Sequence, residues 1–132
     1  MRVGRAGLLL AALAVILAVT LVVPSALAGP SVAVHLRGYG PAQVIAGTTQ
    51  AGAIDLDAVP GQQLVFSVTP AGFYDADLPP GCWLFNGWSV YEGGTQPTWL
   101  DGQTTSYTVP AGVDSVSIYA SYAPVDACDY IT

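Results

Sequence analysis

Alternation of apolar and polar residues, broken by turn residues, constrains the fold of this chain most. In Ser115–Tyr122, every second residue is apolar and the residues between are mostly serine. Ala53–Ala58 and Leu64–Thr69 alternate in the same way. From Pro60 onward, proline- and glycine-containing turns recur roughly every ten residues, as in all-β domains. Period-two patterning with one polar face predicts sheets that are packed on one side and wet on the other, as in a small antiparallel sandwich.

Two further segments, Val32–Leu36 and Tyr107–Val109, are predicted as strands. The region with the best case for a helix is Ala42–Ala51, but it contains Gly47-Thr48-Thr49 and lacks a convincing helical period. We therefore predict a loop or a strand there.

An aromatic stretch, Cys82–Tyr91, is expected to form the core strand, because aromatic side chains bury the most apolar area per residue. Phe85 and Trp88 are three residues apart, so strict alternation would place them on opposite faces. A bulge or bend at Asn86-Gly87 would turn both rings inward. The predicted core comprises Phe66, Val68, Phe85, Trp88, Val116 and Ile118.

The N-terminus has the pattern of a secretory signal peptide. Arg2 and Arg5 precede an uncharged run from Gly7 to Val23, and Ala26-Leu27-Ala28 offers a cleavage site. Cleavage after Ala28 would leave a single domain, residues 29–132. Two alternatives are a retained membrane anchor, although the run is short for a membrane span, and a pilin-type leader cut after Ala6. Membrane contact is expected only through an uncleaved leader.

The mature chain would be strongly acidic. The full sequence has three basic and nine acidic residues. Removing Arg2 and Arg5 leaves Arg37 against nine carboxylates, a formal charge of about −8. Such a chain cannot build the basic patch that a phosphate backbone requires, so nucleic acid is excluded as a partner. Binding to anionic lipid headgroups is disfavoured for the same reason.

No N-glycosylation sequon occurs at the single asparagine, so any glycan would be O-linked.

Two cysteines, Cys82 and Cys128, would enter an oxidising compartment, where a disulfide is the default expectation. It would tie the aromatic strand to the C-terminal tail. The alternative is a pair of free thiols.

Few residues suggest chemistry. His35 is the only histidine, and no serine or cysteine has an identifiable His–acid partner in the sequence, which argues against nucleophilic catalysis. A domain of this size also offers little cleft for a glycosidase-type carboxylate pair.

Two Asp-x-Asp pairs, Asp55/Asp57 and Asp75/Asp77, could come together around Ca²⁺, or be solvated carboxylates that protect a sheet. No other cofactor is expected. Trp83 and Trp99, if exposed, could stack on sugar rings.

Several motifs carry a resemblance to a known family. Val59–Pro70 contains a Pro-Gly turn and an alternating strand that ends in proline, and Phe85–Ser89 reads Phe-Asn-Gly-Trp-Ser. A threonine-rich strand, Thr105–Val109, and an alternating strand, Val116–Tyr122, follow. This order resembles a divergent, single copy of the internalin B-repeat, a bacterial surface repeat family. The chain departs from the family at Cys82-Trp83, in an insertion at 75–81, and at Tyr122 in place of phenylalanine. The resemblance implies a β-grasp-like fold of surface proteins and adhesins, and no chemistry.

We therefore expect a non-enzymatic, secreted or cell-surface β domain that acts in protein–protein contact or adhesion. One alternative is a self-assembling pilus or fibre subunit, in which Gly29–Leu36 leaves its own sheet and completes a neighbour's. The donor residues would be Val32, Val34 and Leu36. The other alternative is a small carbohydrate- or calcium-binding module.

Overall fold

The computed structural model describes residues 30–76, 81–126 and 128. Ten β-strands occur among them, which confirms the predicted all-β class. They are β1 Val32–Arg37, β2 Gln43–Ala46, β3 Thr49–Ala51, β4 Ala53–Ala58, β5 Gln63–Thr69, β6 Gly72–Asp75, β7 Gly81–Tyr91, β8 Thr98–Leu100, β9 Thr104–Thr108 and β10 Ser115–Val125. In this part of the chain, no helix is long and apolar enough to cross a membrane.

The larger sheet has the strand order β4-β1-β10-β7-β6, and β8 also pairs with β7 beyond the end of β6. Its central pair, β1 and β10, is parallel, whereas its other pairs are antiparallel. The small antiparallel sandwich, one of the two predicted arrangements, therefore does not describe this pair. Parallel neighbours cannot be joined by a tight hairpin. Here they are the first and last strands, and the chain between them supplies the long connection.

The smaller sheet has the order β3-β2-β5-β9 and is antiparallel throughout. The segment Ala42–Ala51, predicted as loop or strand, supplies its β2–β3 hairpin. Gly47, at φ +62°, occupies a turn conformation that favours glycine. After Gly52 the chain continues directly into β4 of the larger sheet, and the Gly38 N–H donates to the Gly52 carbonyl at 2.9 Å. This corner links the two sheets.

The two sheets pack face to face around Trp88, which is 0% exposed. The Phe66 ring of the smaller sheet meets the Trp88 ring edge-on, with centroids 4.9 Å apart. The Trp88 Nε1–H donates to the Gly102 carbonyl at 2.8 Å, so the buried indole keeps a hydrogen bond. Five predicted core residues lie in this interior and are at most 2% exposed: Phe66, Val68, Trp88, Val116 and Ile118.

A register shift occurs where β7 passes Asn86. Gly87 pairs with Ser121 and Phe85 pairs with Tyr122, which leaves Asn86 as an unpaired extra residue. The bulge turns both Phe85 and Trp88 inward, as the sequence suggests. Phe85 is partly buried, whereas full burial was predicted for it. It lies at the margin of the core, edge-on to the Tyr122 ring at 5.6 Å.

A disulfide joins Cys82, in β7, to Cys128, beyond the end of β10, with a Cα–Cα distance of 5.4 Å. Cys82 is 1% exposed. The bridge therefore ties Cys128 to the strand that carries the aromatic core.

Candidate functional site

The face of the larger sheet that points away from the core carries a row of aligned side chains. Trp99 on β8 is in register with Ser89 on β7. Ser89 is in register with Tyr119 on β10, and Tyr119 with Arg37 on β1. Residues that pair directly across strands project on the same face. We call this surface, the outward side chains of the larger sheet, the outer face.

Three aromatic residues of the outer face, Trp99, Tyr119 and Tyr91, form what we call the aromatic platform. The Trp99 side chain is 56% exposed and that of Tyr119 is 44% exposed. The Tyr91 and Tyr119 rings meet edge to face at 5.8 Å. Trp99 and Tyr119 are separated by two strand spacings, roughly 10 Å. Large exposed rings on a rigid sheet are the kind of apolar surface that marks a binding site.

A shallow depression of about 370 Å³ lies within the platform. Its lining alternates aromatic and small polar residues: Ser89, Tyr91, Gly94, Ser117 and Tyr119. The two serine hydroxyls both donate and accept hydrogen bonds. The depression therefore offers ring faces beside polar groups, which suits a ligand with both apolar and hydroxyl or amide surface.

Gly87 supports the Trp99 indole from below. A Cβ atom at position 87 would lie 3.3 Å from Trp99 Cε3 and 3.2 Å from the Leu100 carbonyl oxygen. The backbone there is at φ +135°, which L side chains rarely adopt. Glycine thus lets the indole lie against the strand, and the ring is held in place rather than free.

A small ionic cluster, His35, Arg37 and Asp55, adjoins the platform. Asp55 Oδ1 accepts from the Arg37 guanidinium at 2.9 Å and contacts His35 Nδ1 at 2.8 Å. The hydrogen bonds from His35 and Arg37, and then their charges, lower the Asp55 pKa below its usual 3.8. Asp55 is solvent-exposed, so this cluster contributes little to folding. It does fix the orientation of Arg37.

The β-ladder also aligns Ser117, His35 and Asp55 side by side on three strands. Sequence reasoning missed this row, because the three residues lie far apart in the chain. Only the register between strands could reveal it. No hydrogen bond joins Ser117 to His35 among the described residues, and β10 is paired on both sides, which commits its N–H groups to the ladders.

The two Asp-x-Asp pairs are not brought together. Asp55 and Asp57 are on β4, at one edge of the larger sheet, and Asp75 is on β6, at the other edge. Four strand spacings, roughly 19 Å, separate them. Asp77 lies outside the described residues, and those residues contain no group of three or more metal-binding side chains. The topology therefore does not bring Asp55 and Asp57 together with Asp75 around Ca²⁺.

Trp83 does not belong to the exposed surface, unlike Trp99. It packs inside, with its ring 5.8 Å from that of Tyr39, and its indole nitrogen is buried with no hydrogen-bond partner among the described residues. Tyr39 in turn stacks on Tyr122 at 5.7 Å. The bulge accounts for this placement, since it puts Trp83 and Phe85 on the same inner side as Trp88. Trp83 is therefore unsuited to stacking on a sugar ring.

The proposed donor strand is an internal strand. β1 pairs with β4 on one side and with β10 on the other. Val32, Val34 and Leu36 are each at most 1% exposed. Removing β1 would open the centre of the sheet rather than free an edge. This position favours the adhesive-domain arrangement over the fibre arrangement.

No family model, no curated protein and no solved structure matches this chain.

Proposed function

We propose that the chain is a non-enzymatic, secreted domain that binds an extracellular or cell-surface protein through its outer face. The observation that carries this proposal is the single cross-strand row that holds Trp99, Tyr119 and Arg37, all partly or largely exposed. Tryptophan, tyrosine and arginine are the residues most enriched in binding hot spots. Serines between them supply adaptable hydrogen bonds, as in antibody paratopes.

The setting supports an extracellular role. The leader at 1–28 predicts export, the paired Cys82 and Cys128 suit an oxidising compartment, and the domain after Gly29 has no lysine. The internalin B-repeat resemblance implies a domain of surface proteins and adhesins. The resemblance and the exposed outer face both support a role in protein–protein contact or adhesion.

The test is saturable binding of the exported, disulfide-bonded protein to intact cells of the source organism. We expect Trp99→Ala combined with Tyr119→Ala to weaken binding at least about 30-fold, the equivalent of one hot spot of about 2 kcal/mol. Tyr74→Ala is the matched control, because Tyr74 is 59% exposed but lies outside the platform. Protease treatment of the cells should abolish binding. Equal binding by the double variant would overturn the assignment of this surface.

A carbohydrate ligand is the second candidate, favoured by the exposed rings of the platform and the serine hydroxyls between them. Stacking on aromatic rings combined with hydroxyl hydrogen bonds would suit a sugar. The same experiment separates the two candidates. Binding that survives protease but is lost after periodate oxidation of cell-surface glycans would establish the sugar and exclude the protein partner.

A further inference from the structure

One sheet edge of this domain differs from the others. The edge strand β4 carries two exposed carboxylates, Asp55 and Asp57, and β3, β6 and β8 are only three or four residues long. Charges and short length are the usual protections of a sheet edge. β9, Thr104–Thr108, has neither charge nor proline, and it is paired only with β5 among the described strands.

The hydrogen-bond pattern shows which backbone groups of β9 are open. The Val109 N–H donates to the Gln62 carbonyl at 2.9 Å, and the Val68 N–H to the Gln103 carbonyl at 3.2 Å. In an antiparallel ladder, residues whose N–H and C=O groups face the partner strand alternate with residues whose groups face away. Between Gln103 and Val109, the residues whose backbone groups face β5 are therefore Thr105 and Tyr107. The N–H and C=O groups of Thr104, Ser106 and Thr108 therefore point away from the sheet. Their side chains are exposed as well.

The edge is also held firmly. Tyr107 and Val109 are at most 9% exposed, and the Tyr107 hydroxyl donates to the Glu92 carboxylate across to the other sheet. Burial and the Glu92 carboxylate raise the pKa of this phenol, so it stays a neutral donor. A strand anchored in this way presents its open groups in a fixed array, which lowers the ordering cost of binding.

We infer that β9 pairs antiparallel with β9 of a second copy of this chain, about a two-fold axis at Ser106. Each Thr104 then faces a Thr108, and Ser106 faces Ser106, so roughly six backbone hydrogen bonds form. A two-fold interface requires a self-complementary patch. β9 meets this condition because it is neutral, whereas like charges directly opposite would repel.

The pairing leaves the outer face of the larger sheet free, because β9 belongs to the smaller sheet. The dimer would form a continuous sheet of eight strands and present two aromatic platforms. Two linked binding surfaces gain avidity without any new contact to the partner. The dimer does not depend on the proposed recognition function and can be tested without it.

The experiment is light scattering during size-exclusion chromatography of the exported protein, from low micromolar to millimolar concentration. We expect a mass of two chains for the natural sequence and of one chain for Ser106→Lys, which sets two like charges opposite each other. Val65→Lys is the matched control: Val65 is in the same row, is 61% exposed and lies one strand inside the edge. It should remain dimeric. A natural chain that is monomeric at every concentration would overturn the inference.

A pair of double variants tests the register and guards against loss of folding. Thr104→Lys with Thr108→Asp places opposite charges across the two-fold axis, so we expect a dimer. Thr104→Lys with Thr108→Lys places like charges there, so we expect a monomer. Both pairs alter the same two exposed positions, and circular dichroism checks that each variant is folded. If both double variants have the same mass, the proposed pairing is wrong.

Discussion

The rings of Phe85 and Trp88 lie edge to face with their centroids 5.5 Å apart, although the two residues are three positions apart on one strand. This contact requires Asn86 to be left out of the β-ladder. The extra residue changes the phase of β7, so that Trp83 and Phe85 before the bulge share a face with Trp88 after it. One local irregularity thus joins the aromatic cluster at one end of the domain to the central core.

Trp88→Ala should lower the free energy of unfolding by about 3–5 kcal/mol, the usual cost of removing a fully buried aromatic side chain. The indole fills the space between the sheets and contacts Phe66. Trp99→Ala is the control, because the Trp99 side chain is mostly exposed. It should cost less than about 1 kcal/mol. Urea denaturation of both variants with the disulfide intact is the measurement, and equal costs would contradict this core.

Gly87→Ala should destabilise the domain by about 1–3 kcal/mol, because alanine is strained at φ +135° and its Cβ would press on the Leu100 carbonyl and the Trp99 ring. We also expect the Trp99 indole to shift, which a changed tryptophan emission spectrum would report. Gly94→Ala is the control, since no atom lies within 4 Å of its added Cβ. A Gly87→Ala variant with unchanged stability and spectrum would show that the ring does not rest on this backbone.

The Asp55 carboxylate should stabilise the folded protein only at pH values above the acid range. Its folded-state pKa is lowered, chiefly by the hydrogen bonds from His35 and Arg37. A depressed pKa stabilises the folded state above the unfolded value of 3.8, and this contribution is lost as the pH falls through the lower folded value. We expect Asp55→Asn to melt slightly below the natural protein at pH 5 to 6, because solvent screens this exposed cluster, and the difference to vanish in strong acid. Asp57→Asn, which removes a carboxylate of the same strand outside the His35–Arg37 cluster, is the control. A difference for Asp55→Asn that persists in strong acid would contradict this assignment.

Tyr122 should make the domain sensitive to alkali. Burial raises the pKa of its phenol from 10.0 to about 12. A raised pKa gives stability that is complete below the unfolded value and is lost as the pH rises from 10 through 12. Tyr122→Phe removes the hydrogen bond to the Pro70 carbonyl, at a cost of about 1 kcal/mol at neutral pH. It should also remove one late step from the ultraviolet titration of phenolate. A titration unchanged by the substitution would contradict this assignment.

The disulfide should contribute about 4 kcal/mol, because it closes a loop between residues 46 positions apart and so restricts the unfolded chain. Cys82→Ala with Cys128→Ala is the test variant, and chemical denaturation measures the loss. Most of the effect should lie in the unfolded state, so the tryptophan emission of the folded variant should match that of the natural protein. A changed folded-state spectrum would indicate that the bridge also shapes the core.

Much of the fold follows from local pattern. The alternation in Ser115–Tyr122 and Leu64–Thr69 identifies strands and their buried sides, because a side chain on a strand reverses its face at every residue. The Asn86-Gly87 bulge could also be predicted, since two large apolar side chains three apart cannot otherwise share a core. Two short edge strands, β6 and β8, were not predicted, because three or four residues carry too little periodicity.

Local pattern specifies most of the strands and their inward faces, because these depend on neighbouring residues, and simple counts give the acidic, lysine-free character of residues 29–132. The neighbours of each strand are set only by the tertiary structure. It placed β1 at the centre of a sheet, separated Asp55 and Asp57 from Asp75, and aligned Trp99, Tyr119 and Arg37. Register between distant strands arises from packing the whole core at once, and no local window of residues contains that information.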